Sequence, residues 1–268
     1  MVRIESRNNS IIKSVAALKE GAERRASGGF VIEGEHLLEE YLRSGRTPRA
    51  VFVREDSYAR YSSLAARAGC DLYEVTAPVY DKLTQEKAPQ GILAAADMMP
   101  EIKELCEENA AEVVSSLGGG HTVILENLQD PGNVGAVIRT AAALGASVVL
   151  CSCADIYSLK TLRATMGALF FCRAALCRSA ETAINALHSR GSRVISAALY
   201  GETLPLGGFE ILKDDCFVIG SEGGGISQKT LEACDFSAKI PITGAVESLN
   251  AAAAATVFLW EAARSGTV

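Results

Sequence analysis

The chain has 268 residues, 49% of them apolar and 22% charged, a globular composition that excludes a mainly disordered chain. Its formal net charge of −6 means that any polyanionic partner must be held by local basic patches against a repelling overall field. The ten-residue stretch Ala251–Trp260, apolar but for Thr256, is too short to span a bilayer, and the N-terminus MVRIESRNNS lacks the apolar core of a secretory signal, so a cytoplasmic protein with no membrane contact is expected.

Charge is uneven along the chain. Residues 1–100 carry 14 Lys and Arg against 14 Asp and Glu, whereas residues 101–268 carry 12 against 18. The first thirty residues are basic, with Arg3, Arg7, Lys13, Lys19, Arg24 and Arg25 against Glu5, Glu20 and Glu23, and read as a basic arm. The eight cysteines lie mostly inside apolar runs such as Val148–Cys151, as buried thiols of a reducing compartment do. Cys151-x-Cys153 is the one tight pair, and without a second CxxC or CxH pair no metal site is expected.

In chain order, the run Phe30–Ile32 predicts a strand and is followed by a helical pattern over His36–Ser44. Ala50–Val53 precedes a helix near Ser57–Ala68, Asp71–Val75 precedes Val79–Thr84, and Gly91–Ala96 closes the set. Strands alternating with helices imply a small α/β domain over residues 1–97. Residues 98–120 form a linker: Met98-Met99-Pro100, a charged helical stretch from Glu101 to Leu117, and the triple glycine Gly118–Gly120. The second domain, 121–268, has candidate strands Thr122–Glu126, Ser147–Cys151, Phe170–Ala174, Arg193–Leu199, Cys216–Gly220 and Ala238–Pro241. Its candidate helices are Val134–Leu144, Leu159–Ala168, Glu181–Ser189, Gln228–Cys234 and Leu249–Arg264. These strands are continuous apolar runs, as in a parallel sheet covered on both faces, where ligands bind beyond the carboxyl ends of the strands.

Three turns at such ends carry candidate chemistry. In Asp130–Thr140, Val134, Val137, Ile138, Ala141 and Leu144 make one apolar helical stripe, with Asn133 at the expected N-cap and Arg139 off the stripe. By spacing alone, Arg139 reads as a solvated surface arginine. In Val218–Ile226 a strand runs into four glycines within six residues, which lets backbone N–H groups approach a ligand and equally suits a tight structural turn. Gln228 stands where a dinucleotide fingerprint needs its last glycine, no Gly-Lys-Ser/Thr follows, and Glu222 would repel a phosphate. In Ile240–Asn250, Pro241 ends a strand and Ser248 is placed to cap the helix that opens with Ala251–Ala255. Five alanines suit either a close backbone approach or an ordinary Ala-rich core helix.

Taken together, the segments N-V-G-A-V-I-R-T-A-A-A-L-G-A, I-G-S-E-G-G-G-I and I-P-I-T-G-A-V-E-S-L-N-A-A-A-A-A resemble, in order, the three signature motifs of the SpoU–TrmH (SPOUT) class of RNA ribose 2′-O-methyltransferases. The likeness spans residues 121–264. Residues 1–97, around Ser27–His36, resemble that family's substrate-binding extension, a small α/β fold similar to some RNA-binding ribosomal proteins. The resemblance implies a parallel α/β sheet ending in a deep C-terminal trefoil knot, a homodimer with shared active sites, and S-adenosylmethionine as cofactor. By motif position, Ala197, Gly220, Ile240 and Leu249 would contact the cofactor. Arg139 would bind the phosphate and stabilise the alkoxide, Asn133 and Glu222 would orient Arg139 and the loops, and Ser248 and Asn250 would contact substrate or the facing subunit. The extension favours ribosomal (23S) RNA as substrate. The alternatives are transfer RNA and a catalytically inactive RNA-binding or ribosome-assembly module of the same fold. A nicotinamide-dependent dehydrogenase lacks its glycine fingerprint here, and a serine hydrolase lacks its GxSxG.

Overall fold

The computed structural model describes residues 1–199 and 201–265; Tyr200 and residues 266–268, the end of the predicted second domain, lie outside the described residues. The chain divides into two compact units: Met1–Met99 with Asp155–Phe170, and Pro100–Ala154 with Phe171–Val268.

The first unit holds β1 (Val2–Ile4), α1 (Ser10–Ala17), α2 (Gly21–Ser27), β2 (Gly29–Glu33), α3 (Glu35–Arg43), β3 (Ala50–Arg54), α4 (Tyr58–Arg67), β4 (Asp71–Val75), α5 (Ala77–Leu83) and β5 (Ile92–Asp97). Its sheet runs β1-β4-β3-β5-β2, with β1, β4 and β3 parallel and β5 antiparallel to both of its neighbours. The basic arm is itself folded. Asn9 caps α1 by accepting from the Ile11 N–H, and Ile12, Val15 and Leu18 bury one helical face in the core with Val75 and Val79. Its cations serve the fold: Arg3 pairs with Glu5, Glu55 and Glu74, and Lys19 Nζ donates to the carbonyls of Lys82 and Thr84, both at 2.7 Å.

Asp155–Phe170, which the sequence predicts within the second domain, packs in the first unit. The buried Arg24 guanidinium meets Asp155 at 2.6 Å and also donates to the carbonyls of Leu18 and Lys19. The Tyr157 ring lies 5.0 Å from that of Phe30, its hydroxyl accepts from the Met99 N–H, and Leu159 joins the core beside Val31. Separations of 58 to 131 residues hide these contacts from any local pattern. Because Arg24 is 7% exposed and Asp155 29%, removing the guanidinium strands a partly desolvated carboxylate. Arg24→Met is expected to lower unfolding stability by about 2–3 kcal/mol. An unchanged denaturant midpoint would show that the pair does not hold this segment.

The second unit holds β6 (Glu104–Leu105), α6 (Ala110–Ser116), β7 (Thr122–Glu126), α7 (Pro131–Ala143) and β8 (Ser147–Cys151). After α8 (Leu159–Thr165), which belongs to the first unit, come β9 (Ala174–Cys177), α9 (Ala180–Ser189), β10 (Val194–Ala197), β11 (Thr203–Pro205) and β12 (Cys216–Ile219), then α10 (Gln228–Ala233), β13 (Phe236–Lys239) and α11 (Ala251–Ser265). All eight strands pair in parallel, in the order β11-β13-β10-β12-β7-β8-β9-β6. The predicted α/β parallel sheet is therefore present. Val113 and Val114 of α6 and Ile184 and Leu187 of α9 pack with Ile124, Val149 and Val218 of the sheet, while Phe258 of α11 sets its ring 5.5 Å from that of Phe217.

Several expectations shift: the strand expected at Ala238–Pro241, for one, lies at Phe236–Lys239. The stretch 101–117 is helical only from Ala110, because Leu105 is buried as an edge strand paired with Cys177. The strand expected at Phe170–Ala174 lies at Ala174–Cys177, since Leu169 and Phe170 are buried in a 3₁₀ turn of the first unit. The edge strand β11 has no sequence signature, being Thr-Leu-Pro. The eight cysteines are free thiols, with Cys151, Cys172, Cys177 and Cys216 buried. No described helix is long and apolar enough to cross a membrane.

Candidate active site

The chain order reverses between β7 and β12: β7 proceeds outward to β8 and β9, while β10, β12 and β13 lie on its other side. Turns leaving adjacent strands at such a point diverge and open a crevice beyond the sheet edge. The predicted site residues other than Arg139 lie at the carboxyl ends of β7, β10, β12 and β13 or in the turns that follow them.

Asp130, not Asn133, caps α7, accepting from the Asn133 N–H at 3.0 Å, with Pro131 opening the helix. Asn133 therefore lies in the first turn, and its amide is available for longer-range contacts. Its Nδ2 donates to Glu222 Oε1, and its Oδ1 accepts from Asn250 Nδ2 at 3.0 Å. Asn250 in turn accepts through Oδ1 from Ala252 N at 2.9 Å and Ala253 N at 3.3 Å. Asn250 thus caps α11, the role the sequence gives to Ser248. One hydrogen-bonded chain, Asn250–Asn133–Glu222, joins all three turns. Arg139 stands outside it, exposed on the third turn of α7, with no hydrogen bond or ion pair among the described residues. Asn133 and Glu222 tie the turns to one another rather than orienting Arg139.

The glycine-rich turn closes on itself. Ser221 and Gly225 exchange backbone hydrogen bonds of 3.1 and 2.9 Å, and Gly225 has φ +64°. A Cβ on Gly220 would sit 2.2 Å from the Gly225 carbonyl carbon and 2.5 Å from Ile226 N, so only glycine fits there. The turn forms one wall of a cavity of about 440 Å³, within the range of small-molecule sites. Ala197, Gly220, Ile240 and Leu249 all line it, as do Glu222 and Ser248. The sequence misses Leu231, Glu247 and Phe258, which also line it. The helical pattern of α11 gives Phe258 only as a buried residue, and its place in the wall depends on the tertiary fold.

The lining fits S-adenosylmethionine. Leu231, Leu249 and Phe258 offer apolar surface for a flat base, and Glu222 and Glu247 suit a cationic ligand. Among the described residues, no group of three or more His, Cys, Asp or Glu could hold a metal ion.

Comparison with known proteins matches residues 120–260 to the model of the SpoU rRNA Methylase family. The chain belongs to this family. Residues 9–94 match the MRM3-like substrate binding domain. The 23S rRNA (guanosine(2553)-2′-O)-methyltransferase RlmP of Bacillus subtilis is 31% identical, over 97% of this chain and 98% of its own length. Among solved structures, an AdoMet-bound rRNA methyltransferase from Sinorhizobium meliloti superposes with a TM-score of 0.83 at 26% identity, covering 99% of this chain and 98% of the other. An RNA 2′-O ribose methyltransferase gives a TM-score of 0.79 at 27% identity, with full coverage of both chains.

For this SpoU family member, Gly220→Ala forces the second turn away from its closed shape. It is expected to weaken S-adenosylmethionine binding at least ~30-fold by calorimetry, about 2 kcal/mol. Wild-type affinity in the variant would show that the closed turn is dispensable.

Proposed function

We propose that the chain transfers the methyl group of S-adenosylmethionine to a ribose 2′-hydroxyl of ribosomal RNA, within the 23S molecule. The observation that carries this reading is the Asn250–Asn133–Glu222 chain, which joins the first signature turn to the second and third, the two that line the cavity. Its full-length likeness to the Bacillus subtilis enzyme named for 23S rRNA favours that substrate over transfer RNA. The complete set of polar motif residues favours an active enzyme over an inactive assembly module.

When bound, the cofactor supplies an electrophilic methyl group on a sulfonium. Ala197, Gly220, Ile240 and Leu249 form its walls. A guanidinium offers donors and a positive charge but no acceptor, so Arg139 acts as a charge and not as a base. It grips the phosphate beside the target ribose bidentately and stabilises the alkoxide that develops on the 2′-oxygen as the hydroxyl proton passes to water; the new O–CH3 bond replaces the broken S–CH3 bond, and the neutral thioether S-adenosylhomocysteine leaves. Ser248 and Asn250 contact the substrate or the facing subunit. Alignment of the hydroxyl with the methyl supplies much of the rate. Arg139→Ala is expected to lower kcat at least ~100-fold with cofactor affinity unchanged. Near wild-type turnover would remove Arg139 from the mechanism.

The working form is a cytoplasmic homodimer. Two helices support this: α7 and α11 touch at Thr140 and Thr256, and their outward faces expose Ala143, Val257 and Trp260, the last 58% exposed. An exposed tryptophan on α11 and an unpartnered arginine, Arg139, on α7 support a surface that a second copy covers and that completes the site. The alanine run makes α11 slim enough to pass through a loop of its own chain, as a deep trefoil knot requires. Trp260→Glu is expected to convert the dimer to monomer in analytical ultracentrifugation, with turnover falling in step. A monomeric wild-type protein of full activity would refute the shared site.

A further inference from the structure

Glu126, the last residue of β7, has no role in the signature motifs. Its carboxylate nonetheless makes two long-range bonds: Oε2 accepts from Ser227 N at 3.0 Å and Oε1 from Thr230 Oγ1 at 2.7 Å. Ser227 Oγ also donates to Thr230 Oγ1 at 2.9 Å, and Thr230 is fully buried. These three groups form one fixed polar knot at the exit of the glycine-rich turn. The entrance of the same turn is fixed by the sheet, since Ile219 pairs with Leu125 and Gly220 therefore leaves β12 alongside Glu126.

We propose that Glu126 is a positioning residue that clamps the exit of the 220–227 turn to the end of β7, holding its backbone in the shape that receives the cofactor. The turn is thus tied at both ends to neighbouring residues of one central strand. Between the ties, the Ser221–Gly225 bonds close the turn on itself, and Glu222 at its tip accepts from Asn133. Glu126 does not line the cavity, whereas Gly220, Ser221, Gly225 and Ile226 do, so it acts through the turn. Loss of the carboxylate would leave the Ser227 N–H and the buried Thr230 hydroxyl without this acceptor and release the exit. A hydrogen bond to a charged acceptor is strong enough to set the conformation of so short a segment.

This inference rests on the cavity being the S-adenosylmethionine site. The test is calorimetric titration of the full-length protein with S-adenosylmethionine, alongside kcat at saturating cofactor and the thermal midpoint. Glu126→Met keeps the chain length but removes both acceptors, and is expected to raise Kd about 10-fold with kcat within about 2-fold. Glu126→Gln can accept from Ser227 N and donate to Thr230 Oγ1, and should restore Kd to within about 2-fold of wild type. Should Glu126→Met fail to fold, Thr230→Val removes one bond at constant shape and is expected to raise Kd about 3-fold. Unchanged affinity in Glu126→Met, or in Thr230→Val if that is the variant used, overturns the proposal. So does a Glu126→Gln variant as weak as Glu126→Met, or a lowered kcat with unchanged Kd. A wild-type protein that binds no S-adenosylmethionine refutes the functional reading itself.

Discussion

Asn133 spends both ends of its amide on residues far away in sequence, and the arrangement of the three turns depends on that choice. The bond to Glu222 spans 89 positions and the bond to Asn250 spans 117. Both are exposed in the single chain, so each contributes only about 0.5–1.5 kcal/mol and neither holds the domain together. They fix relative position: the start of α7, the tip of the glycine-rich turn and the start of α11 cannot drift apart without breaking the chain. Stability comes from elsewhere, from the parallel sheet and the apolar faces of α6 and α9 beneath it. This division, with a greasy scaffold and a small polar tie at its edge, lets the turns stay solvent-facing while their geometry is set.

The second structural theme is that charge in the N-terminal unit is used inwardly. Arg3, Lys19 and Arg24 bind carboxylates or carbonyls of their own unit. Arg7, Lys13 and Arg25 are exposed cations of the first thirty residues, as is the paired Arg3. Removing residues 1–97 would also take away the partners of Tyr157 and Leu159, uncovering an apolar segment of the rest of the chain. A truncation at that point is therefore not a clean dissection of substrate binding from cofactor binding.

Much of this was legible in the sequence, and the reasons differ by feature. The central strands β7 and β8 fall on their predicted residues, because a strand buried on both faces must be a continuous apolar run. All four expected cofactor contacts line the cavity, because they sit where strands end and chain direction changes. What escaped was whatever depends on competition between neighbours. Asn133 and Asp130 both suit an N-cap, and Asp130, directly before Pro131, takes the position. Ser248 and Asn250 both suit the α11 cap, and Asn250 takes it while also reaching Asn133. The inward-folded segment around α8 and the bonds of Glu126 rest on contacts at separations of about a hundred residues, for which a local pattern holds no information.

The sign of the charge at the cavity ties these threads together. The second half of the chain is acidic, and Glu222 and Glu247 stand in the cavity wall, which is an unfavourable field for a polyanion. A carboxylate there is tolerable only if what lies against it is positive, and a sulfonium cofactor meets that condition where a nucleotide phosphate does not. The phosphate contact must then come from a cation held apart from these carboxylates. Arg139 meets that requirement: it lies on the same helix as Asn133 but outside the hydrogen-bonded chain, with no acid neutralising it. Keeping Arg139 unpaired while pairing Glu222 with a neutral amide leaves both charges available, the carboxylate in the cavity wall and the guanidinium on the exposed face of α7.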